Sequence, residues 1–295
     1  MSIILAYFFD IFFSDIAILR LPLHGIEIAT LKLGNMLKKV KNTYVSSLLL
    51  LSGINIITFS SSLLFILLLR RISSTMEFIG EIYLIFNALS IRLPEKGTLS
   101  VYDKLYENNF ALARDKLSLI TEEPVENIDE HELAKTTIIA TAQNTLHDFF
   151  SPIIYAFFGG GILALLCRCS YIIYHTASRN PQFDKNIRFF PGLVMDFFNY
   201  LPSRLLYLFL PLISGWYNIK YVFIDMLRNK RIYSYINDGI PIAAFFSYIR
   251  LNLSKEKKTI HMEYNIDDIS SAINYMYRLS YLTMFILVIL QFYKK

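Results

Sequence analysis

Between Lys41 and Arg70 the chain carries no charged side chain; Leu, Ile, Phe and Val dominate, interspersed with Ser, Thr, Asn, Tyr44 and Gly53. A hydrocarbon core of about 30 Å is crossed by about 20 apolar residues in a helix. The run 42–69 therefore predicts a membrane-spanning helix closed by Lys41 on one side and Arg70–Arg71 on the other. Uncharged runs recur at 149–167, at 205–219, where Pro211 interrupts, and at 279–293. The N-terminal run 3–19 holds Asp10 and Asp15 and has neither a basic start nor a small-residue cleavage site. It reads as a retained helix rather than a signal peptide. These runs together predict about four to five crossings.

Polar stretches separate them. Residues 24–43 read as a polar linker. Residues 92–148 hold 11 of the 24 acidic side chains and form a hydrophilic insert. Within it, Leu105, Tyr106, Phe110, Leu112, Ala113, Leu117 and Ile120 recur at helical spacing and predict one helix over 102–120. Thr121-Glu122-Glu123-Pro124 is a break, because a proline disfavours the helical conformation in the residue before it. A second helix follows, opened by Asp129 or Glu130 and running through His147. Residues 175–204, punctuated by Pro181, Pro191, Gly192 and Pro202, and residues 228–268 read as polar loops. The pattern predicts an all-α, polytopic integral membrane protein, a single domain over 1–295.

Composition agrees. Hydrophobic residues make up 54% and charged residues 18%, against about 45–50% and about 25% in soluble domains. The mean hydropathy is +0.41. The net charge of +5 is spread over every hydrophilic stretch, so the positive-inside rule sets no orientation. No basic stripe with interleaved aromatics exists to bind nucleic acid. The two cysteines, Cys167 and Cys169, are too few for a metal site and read as apolar packing residues. His147 and His175 have no second histidine at helical spacing and read as satisfied polar contacts. Gly159-Gly160-Gly161 lacks the Lys-Ser/Thr of a phosphate loop and reads as close helix packing or a flexible break.

Several polar segments follow one another in a familiar order. Leu5-Ala6-Tyr7-Phe8-Phe9-Asp10 and Asp15 open it, then Ala113-Arg114-Asp115-Lys116-Leu117-Ser118. Next come Ala142-Gln143-Asn144-Thr145, Ser151-Pro152 with a hydrophobic run to Gly159-Gly160, and Arg168. Asp196…Asn199-Tyr200-Leu201-Pro202-Ser203-Arg204-Leu205, then Asn237, Gly239 and Pro241, and finally Ile266-Asp267-Asp268-Ile269 complete the series. The chain resembles the CobD/CbiB family over nearly its whole length. That resemblance implies a multi-pass protein of the cell membrane, the bacterial inner membrane, that joins aminopropanol or its phosphate to adenosylcobyric acid. It implies ATP and Mg²⁺ as cofactors, and the lipid bilayer and a corrinoid as partners. It places Asn144, Asp196 and Asn199 in catalytic roles, and Asp10, Asp15, Arg168, Arg204, Asn237, Asp267 and Asp268 in substrate binding. The expected arrangement brings Asn144, Asp196 and Asp267 into one polar pocket.

The chain departs from the family pattern at chemically charged positions. Gln143 and His147 stand where the signature has a glutamate and an aspartate. Asp148, a candidate catalytic residue, or a glutamate of the 122–132 insert could replace the lost carboxylate, although Asp148 lies one position late, about 100° around an α-helix. Glu122-Glu123-Pro124-Val125 stands in place of a Gly-Arg-Asp-Thr loop, and Tyr171-Ile172-Ile173-Tyr174 replaces a polar motif with lipid-like residues. No protein metal ligands are assigned. Three readings follow: a working synthase; a catalytically degenerate relative like the AmpE branch, a membrane sensor or regulatory protein; or an unrelated small transporter, for which the paired inverted repeats are missing from the sequence.

Overall fold

The computed structural model describes residues 1–121, 123, 125–126, 128–229, 236–255 and 264–293. The Glu122 and Pro124 expectations, and parts of the 228–268 loop, lie outside the described residues. Among the described residues every regular element is helical. They are α1 (Ser2–Phe13), α2 (Leu21–Leu37), α3 (Thr43–Ile72), α4 (Ser74–Ala88), α5 (Arg92–Tyr106) and α6 (Phe110–Ser118), then α7 (Glu130–Asn144), α8 (Ser151–Arg179), α9 (Phe189–Ile213), α10 (Ile219–Asn229), α11 (Ile236–Lys255) and α12 (Ile266–Tyr293). A π-helical turn, Thr145–Phe150, joins α7 to α8. The chain packs as two compact units, Met1–Ser90 with His147–Asn199, and Ile91–Leu146 with Tyr200–Lys295.

In the first unit α3 shows why this is a membrane protein. Asn42 opens it, its side-chain oxygen accepting from the Tyr44 and Val45 amides at 3.0 and 3.3 Å. Its 30 residues make about 45 Å of helix, more than a bilayer core. The face turned inward carries Ser46, Ser47, Thr58 and Ser62 beside Leu50, Leu51 and Ile54. The face turned outward carries Leu48, Leu49, Ile56, Ile57, Leu64, Leu67 and Leu68, all exposed. Water would oppose that arrangement by about 1.5–3 kcal/mol for each large apolar side chain left out. Lipid does not. Ser73 then turns the chain, its hydroxyl capping α4 at the Met76 amide (3.1 Å). Beneath α3, Ile26, Leu50, Ile54, Cys169, Ile173, Phe183 and Ile187 form a buried cluster.

The predicted crossing at 149–167 is not straight. Gly159 (φ −135°, ψ 17°) and Gly160 (φ 69°, ψ −165°) leave helical geometry, and the latter conformation suits only a residue without a Cβ. Arg168 is paired with Asp148, 20 residues earlier. Along a straight helix those residues would lie about 30 Å apart. The arms 151–158 and 161–179 therefore fold back on each other. Both arms rest on the α4 segment: the Ser90 amide donates to the Asp148 carbonyl (2.6 Å) at the base, and the Gly161 amide donates to Glu81 Oε1 (2.5 Å) at the apex.

The second unit is organised around Tyr275, fully buried, which stacks on Tyr248 with ring centroids 4.2 Å apart. Its hydroxyl donates to the Leu210 carbonyl and meets Ser214 Oγ, each at 2.7 Å. Thr98 and Thr141 hydroxyls, 2.8 Å apart, tie α5 to α7. As expected, Asp129 opens α7, accepting from the Glu132 amide at 2.8 Å.

Four sequence expectations need correction. The linker at 24–43 is mostly α2, because Pro22 sits in its first turn and Ile26, Thr30 and Gly34 supply a buried stripe. The helix at 102–120 is two: Asn108 takes a left-handed φ of 57°, and Asn109 restarts the chain by capping the Leu112 amide at 3.2 Å. The N-terminal helix ends at Phe13, and Ala17–Arg20 form a separate 3₁₀ turn. The polar stretches 175–204 and 228–268 are not loops throughout, since α8 reaches Arg179, α9 begins at Phe189 and α11 occupies Ile236–Lys255. Among the described residues, three helical runs are long and apolar enough to cross a membrane: Thr43–Ile72, Glu130–Arg179, which includes the fold-back, and Ile266–Leu290. At 12 residues, α1 is only about 18 Å long. The protein is an all-α membrane protein.

Candidate functional site

The polar side chains singled out by sequence divide between the units. Asp10, Asp15, Asp148, Arg168, Asp196 and Asn199 belong to the first, and Asn144, Arg204, Asn237, Asp267 and Asp268 to the second.

In the first unit a buried charged network forms where α1, the Ala17–Arg20 turn, the end of α4 and the base of the α8 hairpin meet. Asp10 is fully buried on α1. It pairs with Arg20 Nη2 and accepts from Ser90 Oγ at 2.8 Å. Arg20 also lies over the Phe86 ring, 4.7 Å from its centroid. Asp148, on the π-helical turn, pairs with Arg168, which lies within electrostatic range of both Asp10 and Arg20. Ser90 joins the two pairs, its hydroxyl on Asp10 and its amide on the Asp148 carbonyl. Taking such charges out of water is costly unless each finds an opposite partner. Here each one does.

The network extends through aromatic rings. Arg168 lies 5.2 Å from the Tyr171 ring centroid, and Tyr171 stacks on His147 at 4.6 Å and 11°. Asn199 Nδ2 donates to His147 Nδ1 at 2.9 Å while its oxygen accepts from Ser151 Oγ at 2.7 Å. Asp196 is half-buried one turn before Asn199, and Asp15 is exposed beyond the end of α1. Tyr171, expected to face lipid, instead sits between a guanidinium and an imidazole, because the fold-back turns its helical face toward the network.

In the second unit, Arg204 donates to Asn237 Oδ1 and to Ser203 Oγ (2.7 Å), with its guanidinium 4.0 Å from the Tyr200 ring centroid. Gln143 Nε2 donates to the buried Asp238 Oδ2 at 3.3 Å. Asn144 Nδ2 donates to the Ile120 carbonyl at 3.0 Å, tying α7 to the end of α6. Asp268 and Asn265 cap each other's amides at 2.9 and 3.2 Å, opening α12, whereas Asp267 is exposed on the first turn.

Sequence reading missed Arg20, Ser90 and Asp238. A buried aspartate such as Asp10 demands a cation, and Arg20 ends the same apolar stretch; that is the signal that could have found it. Ser90 left none.

In this network a Mg²⁺ ion would meet carboxylates that already have partners. That ion is held by one or two carboxylates beside substrate phosphates. Here Asp10 and Asp148 are each neutralised by an arginine, and Asp238 faces an amide. Among the described residues no group of three His, Cys, Asp or Glu side chains converges.

Comparison with known proteins decides the lineage. The model of the family described as CobD/Cbib protein matches residues 3–269. The chain belongs to the CobD/CbiB family. One CobD/CbiB relative, named cobalamin biosynthesis protein CobD in Leptospira interrogans, is 30% identical over 177 residues, 59% of this chain and 56% of its own length. The match thus spans little more than half of that relative. A Clostridium perfringens protein of the same name is 26% identical over 310 residues, covering 98% of this chain and 97% of its own. A third, from Clostridium acetobutylicum, is 27% identical over 168 residues, 56% of this chain and 53% of its own. No solved structure matches the chain significantly.

Proposed function

We propose that this CobD/CbiB protein acts in cobalamin biosynthesis at the bacterial inner membrane, crossing it several times. In this reading it joins aminopropanol, or its phosphate, to the free carboxylate of adenosylcobyric acid by ATP-dependent amide formation. The observation that carries it is the family match over residues 3–269. The buried charged network supports this reading, since charges within a membrane are costly and mark substrate sites by default.

Forming an amide from a carboxylic acid requires a carboxylate oxygen to become a leaving group, and ATP supplies that chemistry when bound. The protein's part is to hold an anionic acid where water is scarce. Arg168 and Arg20, braced by Asp148 and Asp10, are the groups suited to a carboxylate or phosphate. Asn199 and Ser151 fix the His147 ring beside them. Arg204 and Asn237 form a second polar group for substrate contact, in the other unit.

A degenerate, AmpE-like sensor is the second reading. The amide of Gln143, standing where the family signature has a glutamate and donating to Asp238, favours it. One experiment separates the two: expression in a strain lacking the synthase and fed cobyric acid. Cobalamin-dependent growth supports catalysis; no growth despite normal membrane levels favours the catalytically degenerate reading.

A further inference from the structure

We propose that Glu81 is a positioning residue whose carboxylate closes the apex of the α8 hairpin inside the membrane and so holds Arg168 opposite Asp148. The inference goes beyond the proposed reaction and stands on geometry alone.

The fold-back at Gly159–Gly160 starts a new helix at Gly161, and the first amides of any helix lack helical acceptors. From Asp148 to the apex is about 16 Å of helix, half of a hydrocarbon core. Water does not serve exposed amides at that depth, so irregular backbone is tolerated only where protein satisfies it. Glu81, on α4, does so: its Oε1 accepts from the Gly161 amide at 2.5 Å. The Glu81 oxygen thus gives the first amide of the new helix the acceptor it lacks.

The glycines fit this lock. Gly160 has φ +69°, and a Cβ there would also strike the Glu81 carboxylate. A Cβ on Gly161 would strike Leu84 Cβ and the Glu81 carbonyl, so α4 and α8 approach at backbone distance. Gly161 and Arg168 are two turns apart, on one helical face. Fixing Gly161 against α4 therefore fixes the face that carries Arg168.

The test reads distance. Spin labels are placed at Ile154→Cys and Ile172→Cys, with Cys167 and Cys169 changed to Ala, and measured by dipolar electron paramagnetic resonance in lipid nanodiscs. A straight helix separates these positions by about 27 Å; the hairpin holds them under about 20 Å. Glu81→Ala should lose the short-distance population, and Glu81→Gln should keep it, because the amide oxygen accepts the same N–H. An unchanged distribution in Glu81→Ala overturns the proposal, as does Glu81→Gln losing the short distance. If the alanine variant fails to reach the membrane, the glutamine variant alone decides in the same way. In the cobyric acid growth assay, Glu81→Ala should reduce yield at least about tenfold. Failure of the unmutated protein to support growth would count against the proposed function only, leaving the distance result intact.

Discussion

Asp148 and Arg168 stand 20 positions apart in one helical run and form a buried ion pair. Removing one partner strands the other charge, a loss of about 3–5 kcal/mol. Arg168→Ala should therefore lower the thermal midpoint of the detergent-solubilised protein sharply. Replacing both residues, as Asp148→Leu with Arg168→Met, should recover most of it. Equal damage from single and double variants would contradict the pairing.

Arg20 makes an equivalent bond to Asp10, and Ser90 reports on it more gently. Ser90→Ala deletes only the hydroxyl, whose oxygen is 2.8 Å from Asp10, and leaves the backbone bond to Asp148. The expected loss is about 1–3 kcal/mol in unfolding, against a larger loss for Arg20→Ala. Chemical denaturation of the two variants in one detergent ranks them.

The outward face of α3 is expected to lie in lipid. Ile57→Lys, near the centre of the span, should oppose membrane insertion by about 2.5–3.5 kcal/mol, measurable as a reduced membrane-integrated fraction. Leu50→Lys attacks the buried face and should instead prevent folding after insertion. If Ile57→Lys inserts and folds normally, that face is not in hydrocarbon.

Gln143 and Asp238 form a donor–acceptor pair of one amide and one carboxylate. Gln143→Glu would set two carboxylates against each other and should destabilise the second unit by about 1–3 kcal/mol. Adding Asp238→Asn exchanges amide for carboxylate and should restore stability in a double-mutant cycle. No recovery in that cycle would show that the two side chains do not meet.

Much of the helical framework was legible in the sequence, and for physical reasons. An uncharged stretch as long as α3 has one stable home, and Asp129 announces α7 through the amide it caps. The hairpin in α8 was hidden because Phe, Ile and Leu continue through it unbroken; three glycines alone mark the turn, and they suit packing equally well. The site was half legible. Asp10 and Arg168 stand out as charges among apolar residues, but their partners Arg20 and Asp148 come from folding back, which periodicity does not encode. Tyr171 misled because a tyrosine suits lipid and a guanidinium equally. Asn144 and Asp268 carry their family-like positions into local backbone contacts that only three-dimensional placement shows.

The wide turn Thr145–Phe150 has a consequence for how the chain tolerates its missing carboxylate at position 147. A π-type turn accommodates one extra residue without breaking the helix on either side. A shift of one place in the sequence can thus be absorbed locally, letting Asp148 reach the guanidinium while His147 swings to the aromatic stack. Deleting a single residue from this turn should tighten it to ordinary winding and rotate every side chain downstream by about 100°, scrambling the network while leaving the membrane insertion of α3 untouched.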